Sequence, residues 1–236
     1  MKKFWQIKNK SETSADLYLY DEIGDGWYES TSAKDFKKEL DEIGEVKALN
    51  IYINSPGGSV FDGMAIYNQL KRHKAQKTVY VDGIAASIAS VIALVGDKLI
   101  IPKNAYFMIH QPWSIAIGTA EDFRKTAEAL DKIGEGILNV YDEHSALTRD
   151  EIKQLMDAET WMTGEEALEY GFADEVTEEV KIAASVAESE IWQKYKNAPK
   201  IEESKNENPE ESPPTRRVFD ISRRVRVRDK MRRKYA

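Results

Sequence analysis

The sequence predicts an α/β fold. Short runs rich in branched apolar residues alternate with stretches of helical periodicity, and clusters of Gly, Pro, Asn and Ser separate the two. With 236 residues, of which 42% are hydrophobic, the chain has enough apolar material for one compact domain and a tail.

The elements are expected in the following order. A strand covers Leu17 to Tyr20. Ser32 caps a helix, with Asp35 three residues on and Phe36, Leu40 and Ile43 on one face, and Gly44 closes it. Val46 to Ile53 is a buried strand, and Asn54-Ser-Pro-Gly-Gly58 is a turn. Met64, Ile66, Tyr67 and Leu70 mark the next helix and Thr78 to Val81 the next strand. Gly83 is expected to break that strand, with an apolar helix from there to Val95. Strands follow at Leu99 to Ile101 and Ala105 to Ile109. A long helix then spans Ala120 to Tyr141, with Phe123, Ala127, Leu130, Ile133 and Ile137 on one face. Shorter helices cover Arg149 to Ala158 and Gly164 to Glu169, the second stopped by Gly171. No internal repeat is visible.

After about Val180 the composition changes, which divides the chain into a domain at 1–180 and two further segments. The first, 181–214, contains an amphipathic helix over 183–195 and an acidic, proline-containing linker. The second, 215–236, is a basic tail expected to be disordered, with ten Lys/Arg against two Asp. Its net charge is +8, so residues 1–214 carry −15 of the total −7. Such a tail suits a nucleic acid or an acidic protein patch as partner, and equally a solvated appendage.

Composition excludes several classes of function. Cysteine is absent, which removes a disulfide framework, a thiolate nucleophile and cysteine-ligated zinc. No histidine–carboxylate cluster has ligand spacing, so no metal and no cofactor is expected. The longest apolar run, Ile84 to Val95, has 12 residues, against about 20 for a membrane span. Phe4 to Lys8 is no apolar signal core. The expectation is a soluble, cytoplasmic protein without membrane contact.

Three segments carry candidate chemistry. In Asn54-Ser-Pro-Gly-Gly-Ser59 the glycines free the backbone, and an amide such as that of Gly58 is able to face a developing oxyanion. The same segment equally serves as a plain strand-to-helix turn. In Gly83-Ile-Ala-Ala-Ser87-Ile-Ala-Ser90, a serine at a helix start has unpaired amides nearby, including that of Ile88. Tight helix packing explains the small residues as well, and Ser90 is an equal candidate. In Phe107-Met-Ile-His110-Gln-Pro112, one histidine follows an apolar strand and precedes a turn-fixing proline. A serine needs such a base at neutral pH. His73 and His144 lie among charged residues and are expected to be exposed.

In this order the motifs resemble the Clp protease proteolytic subunit family, and Thr163-Gly-Glu-Glu-Ala-Leu-Glu-Tyr-Gly-Phe-Ala-Asp174 resembles its closing segment. The resemblance covers roughly residues 15–176. It implies a crotonase-like β-α spiral and a serine peptidase, assembled as a heptameric or double heptameric ring around enclosed sites. It makes Ser87 the nucleophile, His110 the base, and Gly58 and Ile88 the oxyanion-hole amides. The family's acid falls on Glu159, with Asp157 as the alternative. Trp113-Ser-Ile-Ala-Ile-Gly118 stands where the family commonly has a Gly-Gly pair.

The stretches from Gly118 to Lys125, around Leu130-Asp-Lys-Ile133 and at Tyr141, together with the tail, are more similar to the phage head maturation branch. That likeness implies scaffold or capsid proteins as substrate, cut within a procapsid in a bacterial host. Three other readings stand beside it. They are a housekeeping subunit working with a Clp ATPase, a ring-forming structural protein with a decayed site, and a crotonase-fold enzyme acting on acyl-CoA.

Overall fold

The computed structural model describes residues 3–24, 32–179 and 195–199. In chain order its elements are Trp5–Ser11 (β1), Ser14–Tyr20 (β2), Ala33–Glu42 (α1), Ala48–Ser55 (β3), Val60–Arg72 (α2), Gln76–Ala86 (β4) and Ile88–Ala93 (α3). They continue with Lys98–Pro102 (β5), Tyr106–Ile109 (β6), Ala120–His144 (α4), Arg149–Asp157 (α5), Thr160–Thr163 (β7), Gly164–Glu169 (α6) and Glu175–Thr177 (β8). The α/β class is the one the sequence predicts. All the strands among the described residues join one eight-stranded sheet, ordered β1-β2-β3-β4-β5-β8, with β6 attached to β4 and β7 to β6.

Local chemistry starts the helices. Thr119 opens α4, Thr148 opens α5 and Thr163 opens α6, each in a reciprocal cap with the acid three residues on. At α1 the carboxylate of Asp35 accepts from the Ser32 N–H at 3.2 Å. Phe36 and Leu40 of α1, with Ile66, Tyr67 and Leu70 of α2, then bury against Leu49, Ile51 and Ile53 of the central strand β3. That burial outweighs any single cap, at about 1.5–3 kcal/mol for each large apolar side chain.

The strand β4 positions the site, and here the sequence expectation fails. Gly83 does not end the strand, and the apolar helix from there to Val95 does not form. Instead β4 runs on to Ala86, and only Ile88–Ala93 is helical. The reason is a change of partner. The first half of β4 pairs with β5, while Ile84, Ala85 and Ala86 pair in parallel with Tyr106, Phe107 and Met108. On the other edge the register slips, from Ile53 opposite Val81 to Ser55 opposite Ala85. Gly83 lies in that slip, where a residue without Cβ lets the strand bend. An apolar run without alternation fits a strand buried on both faces as well as a helix.

The expected helix over 183–195, the linker and the basic tail fall outside the described residues, except for 195–199. Tyr195 is not helical there; it belongs to an irregular segment. Among the described residues no helix is long and apolar enough to cross a membrane.

Candidate active site

Three strands that neighbour one another in the sheet deliver the candidate residues. Ala86 of β4 sits beside Met108 of β6, so the next residue, Ser87, donates its N–H to the Met108 carbonyl at 3.0 Å. Ile109 of β6 sits opposite Thr160 of β7 in an antiparallel pair. His110 and Glu159 are the residues just beyond that pair, one on each strand. The turn after His110 is tied back where the Gln111 N–H donates to the Met156 carbonyl at 3.1 Å.

Ser87 has φ +55° and ψ −129°. Residues with a Cβ avoid this region, and holding one there costs about 1–3 kcal/mol. Its surroundings over-determine the conformation. The N–H is fixed by Met108, and the carbonyl accepts from the Ser90 N–H at 3.0 Å and from the Ser90 hydroxyl at 2.6 Å. The turn aims the Ser87 side chain at the imidazole, and its Oγ lies 2.8 Å from Nε2 of His110.

Ser90, its equal on sequence grounds, has a different position. It is fully buried, and its hydroxyl is also paired with that of Tyr141 at 2.7 Å. Among the described residues no hydrogen bond joins it to a histidine; it serves as an internal polar link that supports the turn.

The Ser-Pro-Gly-Gly loop packs directly on this turn. Gly57 has φ +97°, and a Cβ there would fall 2.6 Å from the Ser87 Cβ and 2.8 Å from the Ala86 carbonyl. Gly58 has φ +145°, and a Cβ there would fall 2.1 Å from the Ile23 carbonyl. No other residue type fits either place. On one side the loop is laced to Ile23, whose N–H donates to Gly57 O and whose carbonyl accepts from Ser59 N, both at 2.7 Å. Among the described residues the Gly58 N–H donates to no backbone carbonyl. The Ile88 N–H, as the first of α3, has no intrahelical acceptor. The role of Ile23 was not visible in the sequence, since an isolated isoleucine after a strand carries no pattern.

Burial holds the His110 imidazole below the usual histidine range, while the nearby Glu159 carboxylate partly opposes that shift. The imidazole is therefore neutral at pH 7 and able to accept the Ser87 proton. The two candidate acids are placed differently. Asp157 is engaged elsewhere, its carboxylate accepting from the Gln111 side-chain amide at 2.7 Å. Glu159 has φ +50° and acts on His110 through its charge. Among the described residues its oxygens accept from the Asn197 N–H at 2.8 Å and the Trp161 indole at 3.4 Å, and no hydrogen bond joins it to the imidazole.

Two aromatic residues that sequence reasoning passed over complete the site. The Tyr195 ring meets the His110 ring edge-on at 5.5 Å and the Trp161 ring at 5.6 Å. His73 and His144 are half-buried rather than exposed. His73 lies at the far end of α2, where its Nδ1 accepts from the Ala75 N–H at 3.2 Å.

Comparison with known proteins places the chain, rather than the individual site residues, in a family. The family model described as Clp protease matches residues 3–180. The ATP-dependent Clp protease proteolytic subunit of Bacteroides fragilis is 38% identical over 140 residues, covering 58% of this chain and 67% of the relative. That of Bacteroides thetaiotaomicron is 37% identical over 139 residues, covering 58% and 63%. That of Deinococcus radiodurans is 32% identical over 145 residues, covering 60% and 71%. With a family match over most of its length, the chain belongs to the Clp protease family.

Proposed function

We propose that the chain is a serine endopeptidase with Ser87 as nucleophile and His110 as general base. The observation that carries this reading is the 2.8 Å approach of Ser87 Oγ to His110 Nε2, made by residues just past the ends of two different strands. Ser87 attacks a peptide carbonyl carbon while its proton passes to Nε2. The carbonyl oxygen gains the negative charge and is met by the amides of Gly58 and Ile88. As the tetrahedral species collapses, the C–N bond breaks and His110 gives its proton to the departing amine. A water, deprotonated by His110, then attacks the ester, and the serine leaves with the returned proton.

In this reading Glu159 is the acid that stabilises the imidazolium, through space. Asp157 takes no part, because its carboxylate is held by Gln111. Glu159→Gln is expected to lower kcat/KM for a fluorogenic peptide about 10- to 100-fold, since it removes a charge facing the imidazolium. Asp157→Asn should change it less than about twofold. The reverse ranking would move the acid to Asp157.

A ring assembly is part of the proposal. Trp113, Ile115 and Ile117, after the His110 turn, and Phe123 at the start of α4 are 55%, 82%, 97% and 51% exposed. A row of large apolar side chains in water is a surface made for contact. This stretch forms no strand in the single chain.

For the setting, we infer cleavage of scaffold or capsid proteins during phage head maturation. The support is the sequence from Gly118 to Tyr141 and the +8 charge of residues 215–236. That tail fits an acidic scaffold patch or packaged nucleic acid. The second reading is an ATP-dependent proteolytic subunit, favoured by the names of the relatives above. Coexpression with the candidate scaffold and capsid proteins, without any Clp ATPase, separates them by mass spectrometry. The first reading expects cleavage that Ser87→Ala abolishes; intact proteins until an ATPase is supplied would establish the second.

A further inference from the structure

The peptide segment Tyr195–Pro199 lies beyond the 1–180 domain in sequence yet rests on the candidate active site. The Tyr195 ring packs against the small cluster of Ile84, Ala86, Met108 and Trp161, beside the ring of His110. Its hydroxyl donates to the Pro56 carbonyl in the Ser-Pro-Gly-Gly loop, whose Gly57 packs against Ser87. Two residues on, the Asn197 N–H donates to the Glu159 carboxylate at 2.8 Å, and the Asn197 side-chain amide donates to the Ala158 carbonyl at 2.8 Å. One short segment thus touches the base, the acid and the loop that carries Gly58.

We infer that Tyr195–Asn197 is a tethered occupant of the active site, which keeps the peptidase latent until a substrate or an assembly partner displaces it. This rests on the serine-peptidase reading above. A substrate side chain cannot enter the slot beside His110 while the Tyr195 ring fills it. Burial pushes the Tyr195 phenol up to about 12, so at neutral pH it keeps the proton it donates to Pro56. A covalent tether supplies a high effective concentration, so modest contacts suffice to hold the site closed. An extended substrate with a large aromatic side chain competes for the same apolar slot.

The absence of cysteine makes a direct test available. In the full chain, Ala158→Cys with Asn197→Cys should form a disulfide within one chain on mild oxidation, read by intact mass. The oxidised form should react with a fluorophosphonate probe at least about tenfold more slowly than the reduced form, the tenfold step corresponding to about 1.4 kcal/mol of docking. Separately, Tyr195→Ala, which removes the ring from the slot, should speed probe labelling of the full chain by about tenfold or more. Failure to form the disulfide, a disulfide between two chains, or equal labelling in all forms overturns the tethered occupant. Disulfide formation with no labelling in any variant would retain the docked segment and reject the peptidase reading, and with it the latency.

Discussion

Ser87→Ala is expected to lower peptide hydrolysis by about 10⁴- to 10⁶-fold, as removal of a serine nucleophile does where nucleophile and base act as one unit. The loss should appear in kcat/KM without a matching loss of fold. Ser87 contributes its backbone to the turn through Met108 and Ser90, and those bonds survive the substitution. Only the 2.8 Å link to His110 disappears. Thermal unfolding of the variant should therefore stay within a few degrees of the parent, a shift corresponding to about 1 kcal/mol or less. Activity that persists in Ser87→Ala would instead suit an acyl-CoA enzyme of the same fold, in which backbone amides carry the reaction. Ser90→Ala gives the contrasting case: Ser90 is buried and bonded to Tyr141, so its loss should touch stability before chemistry.

The next largest effect concerns His110. Its Nε2 accepts the serine proton only when the imidazole is neutral. Burial favours the neutral form, so the folded-state pKa lies below the ordinary value near 6.5. The active species is the deprotonated one, so kcat/KM should rise with pH, with its midpoint below 6.5, and be flat through neutral pH. The Glu159 charge acts against the effect of burial. Glu159→Gln should therefore move the midpoint lower still, whatever it does to the plateau. His110→Gln should remove the pH step and lower the rate about 10³-fold or more, since no other described histidine reaches Ser87. A midpoint above 6.5, or one that rises in Glu159→Gln, would mean that another group titrates.

How far the sequence disclosed this depends on the kind of information each residue carries. The Gly-Gly pair, the small-residue turn around Ser87 and the His-Gln-Pro turn are dictated by backbone geometry. A Cβ at Gly57 would strike the Ser87 Cβ, so the constraint is written in residue type and can be read. The strand β7 was missed because Thr160–Thr163 has no periodicity of its own and is extended only through its pairing with β6. The same pairing sets Glu159 next to His110, and for that reason spacing left Glu159 and Asp157 open. The helix expected from Gly83 failed because a strand buried on both faces and a buried helix share one apolar pattern. Tyr195 was invisible as a site residue. Its contacts are long-range, and nothing in Gln193-Lys-Tyr195-Lys-Asn197 announces a partner more than eighty residues away.

Ser87 Oγ is the oxygen expected to react. Treating the full chain with a fluorophosphonate and mapping the adduct by peptide mass spectrometry measures that directly. A single phosphonyl group on Ser87, absent in Ser87→Ala and slowed in His110→Gln, is the predicted result. An adduct on Ser90 or any other residue, or labelling unchanged by loss of the His110 imidazole, would contradict it.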